Sequence, residues 1–136
     1  MLWLLVFTLA LDLGSVKSEP KLEKRSELAL QYANTAIDAA RTAYQDGRFE
    51  QTEAALGEVK DAVALSYDSL LATGKNPRKS SGPFKNAEKA TRELLRRLAG
   101  LRDLMSSVDH SVVDPVVEQV TSVHNQLLEG IMTGNK

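Results

Sequence analysis

The chain has 136 residues, no cysteine and a formal net charge of −1 at neutral pH. This length suits one domain with its own core, and the lack of cysteine excludes disulfides, thiolate catalysis and Cys-ligated metal centres. Apolar residues make up 43% of the chain, aromatic residues only 5% and charged residues 26%, a mixture that favours packed helices over sheets and argues against disorder.

The chain opens with an apolar run, Leu2 to Leu11, that ends at Asp12. A membrane-spanning helix needs about 20 apolar residues, and a run of half that length is typical of the core of a signal peptide. Small residues follow, so we predict a signal peptide over residues 1–18, cleaved after Ser18. No Lys or Arg precedes the run, and a helix packed on the domain or an uncleaved anchor are the alternatives. The expected location is exported, periplasmic or secreted, with no stable membrane span after cleavage.

Residues 19–25 predict a polar linker into a four-helix domain over residues 26–134. The first predicted helix covers about 26–45, with Ser26 as its N-cap. The Asp46-Gly47 turn separates it from a second helix over about 48–73, in which apolar residues recur at spacings of three and four and which ends before Gly74.

A basic loop over residues 75–82 leads to a third predicted helix over about 83–108, which begins at Pro83 and carries apolar positions as far as Val108. The fourth covers about 112–132 and is capped by Ser111 or by Asp114. Its valines would also suit a strand, but their spacing favours a helix. Short connections make successive long helices antiparallel, so we predict an all-α, up-down-up-down antiparallel four-helix bundle.

Residues 36–56 carry Tyr44, Gly47 at the turn, Phe49 and the Ala55-Leu56 pair. This segment resembles a single tetratricopeptide-like helical hairpin, and that resemblance implies a role in protein binding. The chain as a whole is similar to exported helical-bundle proteins of bacteria, which implies a fold and a location.

Charge is unevenly distributed along the chain. Residues 75–102 contain nine bases and two acids, while residues 26–74 contain eight acids and three bases, and residues 103–136 five acids and one base. One interpretation is an anion-binding face. The other is that the third helix lies between two acidic helices and pairs with both at the rim. The candidate anion or partner contacts are Lys75, Arg78, Lys79, Lys85, Arg92, Arg96 and Arg97.

Few residue patterns point to catalysis. His110 and His124 lack partners at metal-ligand spacing, and the sequence contains no phosphate-binding loop or nucleophile elbow. The carboxylates of the second predicted helix are expected on its solvated outer face: Glu50, Glu53, Glu58 and Asp61. We therefore expect no catalytic residue, cofactor or metal, and no nucleic-acid binding, because aromatic residues do not alternate with the bases.

The expected function is a non-catalytic protein–protein interaction or structural module of the bacterial envelope, which binds another protein or itself. The alternative is an anion-binding protein that uses the basic loop and the face of the third helix.

Overall fold

The computed structural model describes residues 12–134, and every regular element in that range is helical. The short helix α1 is Leu13–Lys17, and four helices of 24 residues follow: α2 Leu22–Gln45, α3 Phe49–Ala72, α4 Ser81–Leu104 and α5 His110–Thr133. A 3-10 turn, Ser107–Asp109, leads into α5. The all-helical prediction is confirmed. Most of the predicted signal peptide, residues 1–11, lies outside the described residues.

The glycine-terminated helix ends occur where they were predicted. Gly47 and Gly74 have φ of +76° and +69°, the left-handed conformation that ends a helix and that glycine adopts without steric cost. The end of α4 differs from the prediction, because the extended backbone of Met105 (φ −84°, ψ 148°) stops the helix at Leu104. Val108, predicted on the apolar face, is therefore 82% exposed.

Three predicted helix starts also move. α2 begins at Leu22, so part of the predicted linker is helical and Ser26 is a buried interior residue instead of a cap. Pro83 is the third residue of α4, where a missing N–H has no helical partner in any case. α5 begins at His110, upstream of both predicted caps, and Pro115 lies inside it.

The core is made by the apolar faces of all four long helices. Side chains that are fully buried include Ile37 of α2, Val59 of α3, Leu98 of α4 and Val120 of α5. Buried alanines line the facing sides of α2 and α3, which lets these two helices approach closely. The short α1 packs against the same pair and buries Val16. Burial of these apolar surfaces is the main stabilising contribution.

The long helices pack together in pairs. The most extensive contacts are between α2 and α3 and between α4 and α5, and α2 also packs on α4, as α3 does on α5. In contrast, α3 and α4 touch each other least among the long helices that meet. The four long helices thus surround one core, with α3 placed diagonally from α4 and α2 diagonally from α5.

Candidate functional site

The outward face of α4 carries four basic side chains, Lys85, Lys89, Arg92 and Arg96, all of them exposed. They recur at spacings of four, three and four residues, which places them on one line along the helix. At a rise of 1.5 Å per residue this line is about 16 Å long. We refer to these four residues as the basic row.

The two halves of the basic row differ in their local pairing. Arg92 donates from Nε and Nη2 to the two carboxylate oxygens of Glu88, at 3.1 and 3.0 Å, and Arg96 Nη2 lies 2.7 Å from Glu93 Oε1. Lys85 and Lys89 form no ion pair with any residue of the described range. The row therefore keeps an excess of positive charge that is directed to solvent.

Arg97 lies on another side of α4 and is engaged within the fold. Its Nη1 donates to the backbone oxygen of Asn34 at 3.1 Å and to Asn34 Oδ1 at 2.7 Å, and its Nη2 pairs with Asp38. Only 27% of the Arg97 side chain is exposed. This predicted contact residue thus connects α4 to α2 and does not belong to the basic row.

The remaining predicted residues lie in the loop that precedes α4. Lys75 Nζ lies 2.6 Å from Glu23 Oε2 on α2. The side chain of Asn76 shapes the loop, because its Oδ1 accepts from the Arg78 N–H at 2.9 Å, and the exposed side chains of Arg78 and Lys79 form no ion pair with described residues. The seven predicted residues therefore fall into three groups: the row, the loop and the α2–α4 contact.

The outward face of α3 carries the opposite charge. Glu50, Glu53, Asp61 and Asp68 are exposed there and form no ion pair with the described residues. We refer to these four carboxylates as the acidic row, which extends over about 27 Å of helix at 1.5 Å per residue. Glu58, predicted on the same face, instead accepts a hydrogen bond from Tyr32 of α2, and burial and this carboxylate together raise the pKa of Tyr32.

The expected pairing of the basic helix with α3 is not found: among residues 12–134 no ion pair joins α4 to α3. The cross-helix pairs of α4 reach α2 and α5 instead. Arg102 Nε lies 2.6 Å from Asp114 Oδ1, and the hydrogen bond from Arg102 lowers the pKa of Asp114. The reason is geometric, since the two charged rows face solvent on two long helices that make few contacts with each other.

Glu88 connects the basic row to α5. His124 Nε2 lies 2.7 Å from Glu88 Oε2, and the two side chains are only 16% and 14% exposed. Burial raises the pKa of Glu88, but hydrogen bonds from Arg92 and His124 outweigh burial and lower it overall. Glu88 is therefore held as a carboxylate that orients Arg92. No group of three metal-ligating side chains occurs within residues 12–134.

The α4–α5 turn is held by polar contacts, two of which come from Tyr44, a residue far from the turn in sequence. Tyr44 Oη of α2 donates to Asp109 Oδ2 at 2.8 Å and accepts from the Ser106 N–H at 2.9 Å. His110 Nε2 lies 2.9 Å from the Arg102 carbonyl, so this nitrogen must carry the proton. Sequence patterns do not reveal these contacts, since a tyrosine on an apolar face gives no sign of the partner of its hydroxyl.

A groove of about 810 Å³ separates the first half of α2 from the first half of α4. Leu30, Leu70 and Ala87 contribute to its apolar floor, and its volume is in the range of small-molecule sites. Its rim carries ion pairs, Lys75 with Glu23 and Lys24 with Glu27. Both signs of charge are thus present, and the rim does not favour one ionic class of ligand.

None of the helices within residues 12–134 combines the length and the apolar character needed to cross a membrane. No protein-family model, no curated protein and no solved structure matches this chain.

Proposed function

We propose that the protein is a non-catalytic interaction module that binds an acidic protein surface through the basic row of α4. The observation that carries this proposal is the line of four exposed cations, of which Lys85 and Lys89 have no ion-pair partner among the described residues. Complementary charge accelerates encounter and selects partners. A straight row about 16 Å long suits a helix or strand with acids along one side better than a small anion, which needs donors that converge on one point.

The alternative function, binding of a phosphate-like anion, is favoured by the loop before α4. Arg78 and Lys79 are exposed there and lack ion pairs with described residues, and they are adjacent in the chain to the start of the basic helix. Binding of inorganic polyphosphate that is lost on Arg78→Glu/Lys79→Glu, and kept when the basic row is changed, would support this alternative against the first proposal.

The test of the first proposal is cross-linking and affinity capture from native bacterial envelope with the full chain. The α4-reversed variant, Lys85→Glu/Lys89→Glu/Arg96→Glu, is compared with wild type. We expect a partner that wild type captures and the variant loses, and whose purified form rebinds wild type less tightly as salt rises. A partner captured equally by both would contradict a role for the basic row.

The matched control is Lys21→Glu/Arg48→Glu/Lys60→Glu, which changes net charge by the same amount but leaves α4 intact. These three side chains are exposed outside the basic row. We expect this control to capture the partner as wild type does. Loss of capture in both variants would assign the effect to net charge instead of to α4.

We also propose export to the bacterial envelope with removal of residues 1–18. The apolar run from Leu2 to Leu11 and the small residues before Ser18 support this. The intact mass of the protein recovered from separated cell fractions tests it. A chain that keeps residues 1–18 and remains inside the cell would contradict this proposal.

We infer an up-down-up-down course for the four long helices. The support is that residues in the first half of one helix meet residues in the second half of the next: the Ser26 and Ser66 Oγ atoms are 2.7 Å apart across α2 and α3, and Glu88 meets His124 across α4 and α5. The chain lacks cysteine, so Ser26→Cys/Ser66→Cys can form one disulfide. We expect that variant to oxidise readily and Thr35→Cys/Ser66→Cys not to.

A further inference from the structure

We propose that the acidic surface bound by the basic row is the acidic row on α3 of a second copy of this chain. In this arrangement the protein associates head to tail, with α4 of one copy packed against α3 of the next. The inference rests on the proposed function, because it names the partner of the same basic row.

The two rows are directed away from the core on α3 and α4, which lie diagonally from each other and make few mutual contacts. Arg96 lies two residues from Leu94 and from Leu98, both fully buried. At 100° per residue its side chain points about 160° away from each of them. Asp61 has the same relation to Val59 and Val63 on α3. The rows therefore lie on opposite sides of the molecule, where they cannot neutralise each other within one copy.

Each copy thus presents a basic side and an acidic side of complementary charge. Both are lines of four charges along one helix, and all four carboxylates of the acidic row lack an ion pair with the described residues. A contact that joins two different patches leaves one patch unused on each outer copy. Such an interface continues as a chain of copies or closes into a ring.

The acidic row also has room for a neighbouring helix. Ala54 and Gly57 lie between Glu53 and Asp61 on the exposed side of α3, and a Cβ added at Gly57 would meet no atom within 4 Å. The fold itself therefore does not require glycine at this position, although glycine destabilises an exposed helix relative to alanine. A helix from another copy can approach closely over these small residues and bring its cations to the carboxylates.

The experiment is sedimentation velocity with the full chain at low salt and in 1 M NaCl. We expect an average mass at least twice that of one chain at low salt, rising with protein concentration. In 1 M NaCl, where the Debye length is about 3 Å, we expect the mass of a single chain.

Two charge-reversed variants identify the two sides. The α4-reversed variant carries net negative rows on both helices. The α3-reversed variant, Glu53→Lys/Asp61→Lys/Asp68→Lys, carries net positive rows on both. Each alone should remain a single chain at low salt, because only like charges can meet. An equimolar mixture should recover at least twice the mass of one chain, since each variant now complements the other.

Two further comparisons test whether association needs an open surface on α3 and whether it depends on net charge alone. Gly57→Trp places a large side chain between the acids without changing charge and should prevent association, whereas Gly57→Ala should be tolerated. The control Lys21→Glu/Arg48→Glu/Lys60→Glu has the net charge of the α4-reversed variant and should associate as wild type does.

The outcomes distinguish this inference from the function on which it rests. Wild type that stays a single chain at low salt, while a different protein is captured through α4, overturns the inference and leaves the proposed function standing. Association that persists in both reversed variants overturns the inference, because the contact then lies elsewhere. Failure of both self-association and α4-dependent capture overturns both.

Discussion

At the scale of single residues, Glu88 connects two helices through polar contacts, because its carboxylate is hydrogen-bonded to Arg92 of α4 and to His124 of α5. We expect Glu88→Gln to lower the free energy of unfolding at neutral pH by about 1.5 kcal/mol, the lower end of the range for a hydrogen bond to a charged group. The matched control is Glu93→Gln, whose pair with Arg96 is exposed and should be worth at most about 0.5 kcal/mol.

The lowered pKa of Glu88 predicts how the stability of the fold depends on pH. The pKa of Glu88 in the folded protein is lowered from its ordinary value of 4.5, so its contribution to stability is present above that value and is lost as pH falls through the folded pKa. Urea unfolding of wild type and Glu88→Gln should therefore differ at pH 7 and converge in acid. A difference that grows towards acid pH would contradict this assignment.

Tyr44 connects α2 to the α4–α5 turn through two hydrogen bonds. Tyr44→Phe keeps the ring but leaves Asp109 and the Ser106 N–H without this partner, and we expect a loss of about 1 kcal/mol and faster hydrogen exchange at Ser106. Tyr67 is part-buried, and no hydrogen bond joins its hydroxyl to the described residues, so Tyr67→Phe should stay within about 0.5 kcal/mol of wild type. Equal losses in the two variants would show that the Tyr44 hydroxyl is not a special contact.

At the scale of the helices, apolar spacing predicts which faces are buried, while helix ends depend on single backbone conformations. The spacing of Leu94, Leu98 and Leu101 correctly places these residues in the core. The same pattern wrongly extends to Val108, because it does not reveal that Met105 is extended. Ser26 was predicted as an N-cap because a serine before an apolar run is typical of one. It lies inside α2 instead, where its hydroxyl is buried and hydrogen-bonded to Ser66 of α3, a partner that the local sequence does not reveal.

Val108 and Val113 lie near the same helix junction but differ in burial, so truncating each of them tests the assignment of the core. Val108→Ala should change the free energy of unfolding by less than about 0.5 kcal/mol, as for exposed positions. Val113 is fully buried, and Val113→Ala should cost about 2 kcal/mol, because two buried methyl groups are lost and a cavity remains. Thermal or urea unfolding measures both, and equal costs would place Val108 in the core.

At the scale of the whole molecule, the sequence predicts charge complementarity but not where it is used. Nine bases and two acids between residues 75 and 102 predict a basic helix, and the acids on either side predict pairing partners. Which helices become neighbours depends on the packing of alanine-rich and leucine-rich faces, which charge does not control. The candidate site was therefore predicted as a set of residues, while its separation into the basic row, the loop and Arg97 required the packed helices.

Stability and association should respond differently to salt. The fold depends on apolar burial from all four long helices, and ion pairs as exposed as Lys75–Glu23 and Arg96–Glu93 contribute about 0–1 kcal/mol each. The α4-reversed variant is expected to stay a single chain. For this variant we expect 1 M NaCl to change the free energy of unfolding, measured with urea, by less than about 1 kcal/mol. Wild type under the same conditions should fall from an assembly to a single chain, because its contact joins exposed charges that salt screens. A midpoint of the variant that falls steeply with salt would mean that the surface ion pairs it retains, such as Lys75–Glu23, maintain the fold itself.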